Sequence, residues 1–103
     1  MTRLLHATMT LFLLLSFLSV TAVADAQKGK KLYVQKLKPI CKMSGSDFAA
    51  KHSQDEWEEI YDAGEFNQEI KKICGITIEE KFLPHIYDFA YEYANDSGNV
   101  PDC

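Results

Sequence analysis

The segment from Phe82 to Ala94 is apolar on almost every helical face, and this limits the folds open to the chain more than any other feature. Its apolar residues are Phe82, Leu83, Ile86, Tyr87, Phe89, Ala90, Tyr91, Tyr93 and Ala94. A helix with so little polar surface needs neighbours around it, at the centre of a fold or in an interface. We expect the central position, with Pro84 either kinking the segment or starting a new helix in its first turn.

The spacing of apolar residues between positions 33 and 41 predicts a helix near the start of the domain. Its apolar face consists of Tyr33, Leu37, Ile40 and Cys41. Pro39 weakens this helix near its end, because proline lacks an N–H and its ring crowds the preceding turn. After a turn at residues 44–46, Ser46 or Asp47 is expected to cap a short helix that stops near His52.

Two more helices between residues 53 and 80 are marked by start and stop signals. The capping-box pair Ser53 and Glu56 starts the first of them, and Gly64 and Gly75 are the stop signals. A second capping-box pair, Thr77 and Glu80, is expected to open the last helical region. The apolar faces are Trp57, Ile60 and Tyr61 in one helix and Phe66, Ile70, Ile73 and Cys74 in the next. No strand pattern or repeat occurs, so the sequence predicts an all-α fold of four or five short helices.

Residues 1–26 have the three parts of a secretory signal peptide. Arg3 provides a basic start, residues 11–20 form an apolar run, and small residues before Ala24 or Ala26 form the cleavage site. Serines and threonines dilute the apolar run, which favours cleavage over a retained membrane anchor. We therefore expect a periplasmic or secreted product, not embedded in the membrane, with one domain over residues 27–103.

The expected domain has about 77 residues, a size at which a single hydrophobic core is marginal. An oxidising compartment would allow a disulfide to stabilise it. Cys41, Cys74 and Cys103 permit three single pairings, and each pairing leaves one thiol that is buried, paired with another chain, or reactive.

Charge is distributed unevenly along the domain. Lysines crowd its start at positions 28, 30, 31, 36, 38 and 42, and carboxylates crowd its middle at positions 55, 56, 58, 59, 62 and 65. The net charge of −4 argues against nucleic acid as a partner. The two clusters are either solvated helix faces or docking faces for a periplasmic protein such as a redox protein. The candidate partner-binding residues are Lys30, Lys31, Lys36, Trp57, Glu58 and Glu59.

No motif of an enzyme or a metal site is present. The chain has no glycine-rich phosphate loop, no Cys-x-x-Cys and no His-Glu-x-x-His. The helical pattern directs the carboxylates to solvent, which does not suit paired-carboxylate catalysis. We predict a protein that is not an enzyme, with the alternative of a thiol redox protein that uses an unpaired cysteine.

The stretch from Leu37 to Trp57 resembles the start of small bacterial periplasmic cytochromes c. In that family a first helix runs into the haem-attachment motif, which a glycine and a Phe-Ala pair follow, here Gly45 and Phe48-Ala49. A short helix with a tryptophan comes later. The aromatic segment from Leu83 to Ala94 is similar to the family's last helix, which packs across the first one. The resemblance implies a cytochrome-c-like fold over most of the domain.

The attachment motif itself departs from that family. Cys-x-x-Cys-His supplies two thioether bonds and an imidazole ligand, whereas here Ser44 and Gly45 stand where the second cysteine and the histidine would be. An atypical haem site would have to use Cys41, His52 and His85. We expect no cofactor and a binding or accessory role in a redox system, with an electron-transfer cytochrome that attaches haem atypically as the alternative.

Overall fold

A computed structural model of the chain describes residues 26–103. The predicted signal peptide, apart from Ala26, lies outside the described residues. The first helix, α1, spans 26–41 and contains the π-helical turn Tyr33–Leu37 and the terminal turn Lys38–Cys41. The other helices are α2 (Gly45–Ala49), α3 (Gln54–Asp62), α4 (Phe66–Cys74) and α5 (Leu83–Glu92), with a 3-10 turn at Glu80–Phe82 before α5. Residues 26–103 contain no strand, so the all-α prediction is confirmed.

The π-helical turn in α1 allows the helix to continue past its proline. Pro39 cannot donate to the carbonyl of Gln35, and its ring would crowd that carbonyl in an α-helix. The N–H of Lys38 instead bonds to the carbonyl of Tyr33, five residues back. This wider turn changes the angle between successive side chains. The prediction that Ile40 lies on the apolar face of the helix is wrong, because this residue is 50% exposed.

Side-chain caps start α2 and α3. Ser44, and not the expected Ser46 or Asp47, caps α2, because its Oγ accepts a hydrogen bond of 3.0 Å from the N–H of Asp47. The predicted capping box of α3 is confirmed: the Glu56 N–H donates to Ser53 Oγ at 3.2 Å, and the Ser53 N–H donates to Glu56 Oε1 at 3.0 Å. These bonds also lower the pKa of Glu56.

The segment before α5 differs from its prediction. Thr77 and Glu80 do not form a capping box, because the chain around Ile78 has no helical structure and runs alongside α4. The side chain of Asn67 on α4 makes two hydrogen bonds to the backbone of Ile78. The Ile78 N–H donates to Asn67 Oδ1 at 3.0 Å, and Asn67 Nδ2 donates to the Ile78 carbonyl at 2.9 Å. Asn67 therefore takes the place of a helix cap in fixing this segment.

Helix α5 lies at the centre of the fold, as its composition predicts. The core residues are Leu32, Tyr33, Leu37, Phe48, Ala49, Trp57, Phe66, Ile70, Ile86, Phe89, Ala90 and Ala94. Pro84 lies in the first turn of α5 and starts the helix instead of kinking it. The backbones of α1 and α5 touch at Gly29, where a Cβ atom would overlap the His85 carbonyl oxygen and lie 2.9 Å from Phe89 Cβ.

The chain after α5 folds back onto the domain. The Asn95 N–H donates to the His52 carbonyl at 3.1 Å, and Asp96 Oδ1 accepts from the Gln54 N–H at 2.9 Å. Gln54 is the first residue of α3, so the Asp96 carboxylate satisfies a helix N–H that has no partner within the helix and carries the favoured charge for that end.

The last two residues contact α1 and α2. The Gly45 N–H donates to the Cys103 carbonyl at 2.9 Å, and the carboxylate of Asp102 pairs with the Lys30 ammonium group. This ion pair raises the pKa of Lys30 and lowers that of Asp102. The tail is thus held through backbone and ionic contacts, while Cys103 keeps a free thiol.

The Tyr33 phenol should make the protein less stable at alkaline pH. Its hydroxyl donates to the Met43 carbonyl at 2.8 Å, and burial, followed by the charges of Cys103 and Asp47, raises its pKa from 10.0 to about 12. The unfolded chain loses this proton first, so the stabilisation is complete below pH 10 and is lost as the pH rises towards 12.

Between pH 9 and pH 12 the free energy of unfolding should decrease in the intact protein. In Tyr33→Phe we expect this decrease to be smaller by about 2 kcal/mol. Urea unfolding followed by tryptophan fluorescence measures the difference. Part of the fall should remain in the variant, because the pKa of Tyr87 is also raised to about 12. Identical pH profiles for the two proteins would contradict the assignment to Tyr33.

Candidate functional site

The disulfide joins the two helix ends where α1 and α4 meet. Cys41 ends α1, Cys74 ends α4, and their Cα atoms are 4.4 Å apart. This selects one of the three pairings that the sequence permits and leaves Cys103 as the unpaired, half-buried cysteine. The sulfur atom with which the resemblance would attach haem is therefore bonded to another cysteine.

The residues that replace the rest of the attachment motif have structural roles. Ser44 caps α2, and Gly45 is buried against the tail. A Cβ atom at Gly45 would lie 2.5 Å from Cys103 Sγ and 2.8 Å from Phe89 Cζ. Such a position has no room for an imidazole ring, so glycine suits it and histidine does not.

The two candidate haem ligands are not brought together. His52 lies between α2 and α3, with Nε2 2.9 Å from Glu69 Oε1 and Nδ1 3.8 Å from Glu56 Oε2. His85 is half-buried in the first turn of α5, whereas the carbonyl of His52 bonds to Asn95 beyond the other end of that helix. Along α5 these ends are separated by on the order of 10 Å.

Aromatic side chains fill the middle of the domain. The Tyr33 ring centroid lies 5.0 Å from that of Phe48 and 5.6 Å from that of Phe89, and the Phe48 ring stacks 5.6 Å from Trp57. Cys41 is bonded to Cys74 and His52 is hydrogen-bonded to Glu69, so two of the three residues expected to bind haem have other partners. Within residues 26–103 no group of three or more His, Cys, Asp or Glu is placed to hold a metal ion.

The candidate partner-binding residues differ in accessibility. Trp57 is a correction: its side chain is fully buried and its Nε1–H donates to the Ala49 carbonyl at 2.9 Å, because it packs as a core residue. Lys30 pairs with Asp102, and Lys36 Nζ lies 4.7 Å from the Phe82 ring centroid. Lys31, Glu58 and Glu59 are exposed.

Three tyrosines on neighbouring helices form a surface feature that the sequence analysis missed. We call it the tyrosine strip: Tyr61 from α3 with Tyr87 and Tyr91 from α5. The rings of Tyr61 and Tyr87 stack with centroids 4.1 Å apart, and Tyr91 follows 6.0 Å from Tyr87. All three residues are half-buried. The spacing of Tyr87 and Tyr91 placed them on one helix face, but their proximity to Tyr61 depends on how α3 packs on α5.

Carboxylates border the tyrosine strip. After burial, the negative charges of Glu58 and Asp62 are the main causes that raise the pKa of Tyr87, with Asp88 contributing as well. In the part of the chain that the structure describes, neither Glu58 nor Asp62 takes part in an ion pair. Both residues are exposed, so their charge remains available at the surface beside the half-buried tyrosines.

Comparisons with known proteins do not add to this picture. No protein-family model, curated protein or solved structure matches the chain. No helix in the range 26–103 is long and apolar enough to cross a lipid bilayer.

Proposed function

We propose that this protein is an exported, non-enzymatic binding module with a cytochrome-c-like helical scaffold, which uses a disulfide in place of haem and serves as an accessory to a redox system. The observation that carries the proposal is the Cys41–Cys74 bond. It lies where α1 runs into the segment that resembles the haem-attachment region, and it links that point to α4.

The contact between the first and last helices supports the scaffold part of the proposal. In the family that the sequence resembles, the last helix packs across the first one. Here α5 meets α1 with their backbones in contact at Gly29. The aromatic side chains of Tyr33, Phe48 and Phe89 pack against one another at these helices and give the module a core of its own.

Charged surfaces support the binding part of the proposal. The lysines of α1 and the carboxylates of α3 lie on separate elements, and Lys31, Glu58 and Glu59 are exposed on them. Opposite charges on separate helices favour steering of a charged partner over chemistry at a single cleft.

The proposal is tested with the protein purified from the exported fraction of its native host. We expect a colourless protein, with one disulfide and one thiol after denaturation, that has lost residues 1–24 or 1–26 by mass spectrometry. A Soret band that shifts on reduction would overturn the haem-free module and favour the atypical cytochrome.

The accessory role is tested by deletion of the gene. We expect the deletion to slow electron transfer from respiratory substrates to periplasmic cytochromes, and the intact gene to restore the rate. The variant Glu58→Gln/Glu59→Gln should restore it less well, whereas Glu79→Gln/Glu80→Gln, with the same change of charge on another segment, should restore it fully. Unchanged electron transfer after deletion would contradict a redox role.

A further inference from the structure

We propose that the tyrosine strip and its carboxylates, Glu58, Asp62 and Asp88, form the docking surface of this module for an arginine-bearing basic segment of another protein. This inference rests on the proposed binding function and names the surface and the class of partner. Its evidence is the geometry of the rings, the charge beside them and the composition of the chain.

The rings of the strip are held in place before any partner arrives. Tyr61 and Tyr87 are nearly parallel, with an interplanar angle of 14°. Both rings also meet the buried Phe66 at 6.0 Å in edge-to-face contacts, which anchors them to the core. A surface whose side chains are already ordered loses little conformational entropy when it binds.

The charge beside the rings is unfavourable for the helix that carries it. Helix α3 contains no basic residue, and Asp62 lies at its carboxyl end, where the helix dipole favours a positive charge. Glu58 and Asp62 are one turn apart, a spacing at which like charges repel. Local stability does not explain this arrangement, whereas a cationic partner would neutralise it.

The combination of rings and carboxylates favours arginine. A guanidinium group is planar, so it stacks on an aromatic ring and at the same time donates two parallel hydrogen bonds to a carboxylate. An ammonium group of lysine lacks this planar geometry. Residues 26–103 contain no arginine, so a second copy of this domain could offer only lysine side chains. The occupant is therefore a different protein.

The test uses two synthetic peptides as probes, each with four basic residues separated by glycine and serine, one with arginine and one with lysine. Titration of the full chain at about 20 mM and 150 mM salt is followed by NMR signals of the tyrosine rings. We expect the arginine peptide to bind about three- to fivefold more tightly than the lysine peptide, to shift the Tyr61, Tyr87 and Tyr91 signals, and to weaken with salt.

Two variants with equal charge change locate the binding. Glu58→Gln/Asp62→Asn should weaken binding of the arginine peptide about tenfold, and Glu79→Gln/Glu80→Gln should change it less than about twofold. Both pairs are exposed, and circular dichroism verifies that each variant remains helical. Equal losses for the two variants, equal affinity for the two peptides, or no binding to the intact chain would each overturn the proposal.

Self-association is a separate outcome of the same preparations. Dimer formation in sedimentation experiments that Glu58→Gln/Asp62→Asn abolishes would place a second copy on the strip and overturn the choice of partner. Failure of the gene deletion to slow electron transfer would refute the redox role and leave arginine-peptide binding to be judged by its own result.

Discussion

Replacing both Cys41 and Cys74 by alanine should lower the free energy of unfolding by about 3–4 kcal/mol. The two residues are 33 positions apart, and closing a loop of this length restricts the unfolded chain by about that amount. A domain of this size has little stability to spare, so the variant should be partly unfolded at 37 °C. Urea unfolding followed by tryptophan fluorescence measures the change.

The unpaired cysteine provides the matched control for this experiment. Cys103→Ser should change the free energy of unfolding by less than about 1 kcal/mol, because its side chain is half-buried and takes part in no disulfide. A reducing agent should destabilise this variant as it does the intact protein, and should leave the double alanine variant unchanged. A loss of 3 kcal/mol or more in Cys103→Ser would contradict the observed pairing.

Gly29→Ala should destabilise the protein by about 3 kcal/mol. Helix propensity alone predicts the opposite sign, since alanine in place of glycine inside a helix contributes up to about 1 kcal/mol. The new Cβ atom would overlap the backbone carbonyl of His85, which cannot rotate away as a side chain could. Helices α1 and α5 must then separate along their contact.

Lys28→Ala, at an exposed neighbouring position of the same helix, is the control and should stay within about 0.5 kcal/mol of the intact protein. Chemical denaturation of both variants gives the two values. A Gly29→Ala protein that is more stable than the original would show that α1 and α5 do not approach each other at this point.

Much of the fold followed from local sequence signals. The capping box of Ser53 and Glu56 and the stop at Gly75 depend on residues within one turn of a helix end, so they could be read directly. The central position of α5 followed from its composition, because a helix with apolar residues on most faces must be surrounded.

Other features depend on contacts between residues far apart in the sequence and could not be predicted from local patterns. The pattern of Thr77 and Glu80 is the same as that of a capping box, but Asn67 holds the chain at Ile78 in another conformation. At this segment tertiary packing overrides the local signal. Trp57 differs, because its place on the apolar face of α3 already favoured burial, and its contacts with Phe48 and Phe66 rule out the partner-binding role that was also expected of it.

The candidate site was the least predictable part. Two of the expected haem residues have other partners, since Cys41 bonds to Cys74 and His52 lies against Glu69. The tyrosine strip combines residues of α3 and α5 that are 26 positions apart in the sequence, and only the packing of these helices brings Tyr61 onto Tyr87.

The contact between α1 and α5 also determines when the protein can fold during its synthesis. The surface of α1 around Gly29 can pack only after His85 and Phe89 have left the ribosome. The hydrogen bond from the Gly45 N–H can form only after Cys103 has been added. Shorter nascent chains lack the helix that fills the centre, so most of their apolar surface stays open to water. The domain should therefore remain unfolded until the residues up to Cys103 have been synthesised, and an unfolded polypeptide is the form that can be threaded through a narrow membrane pore.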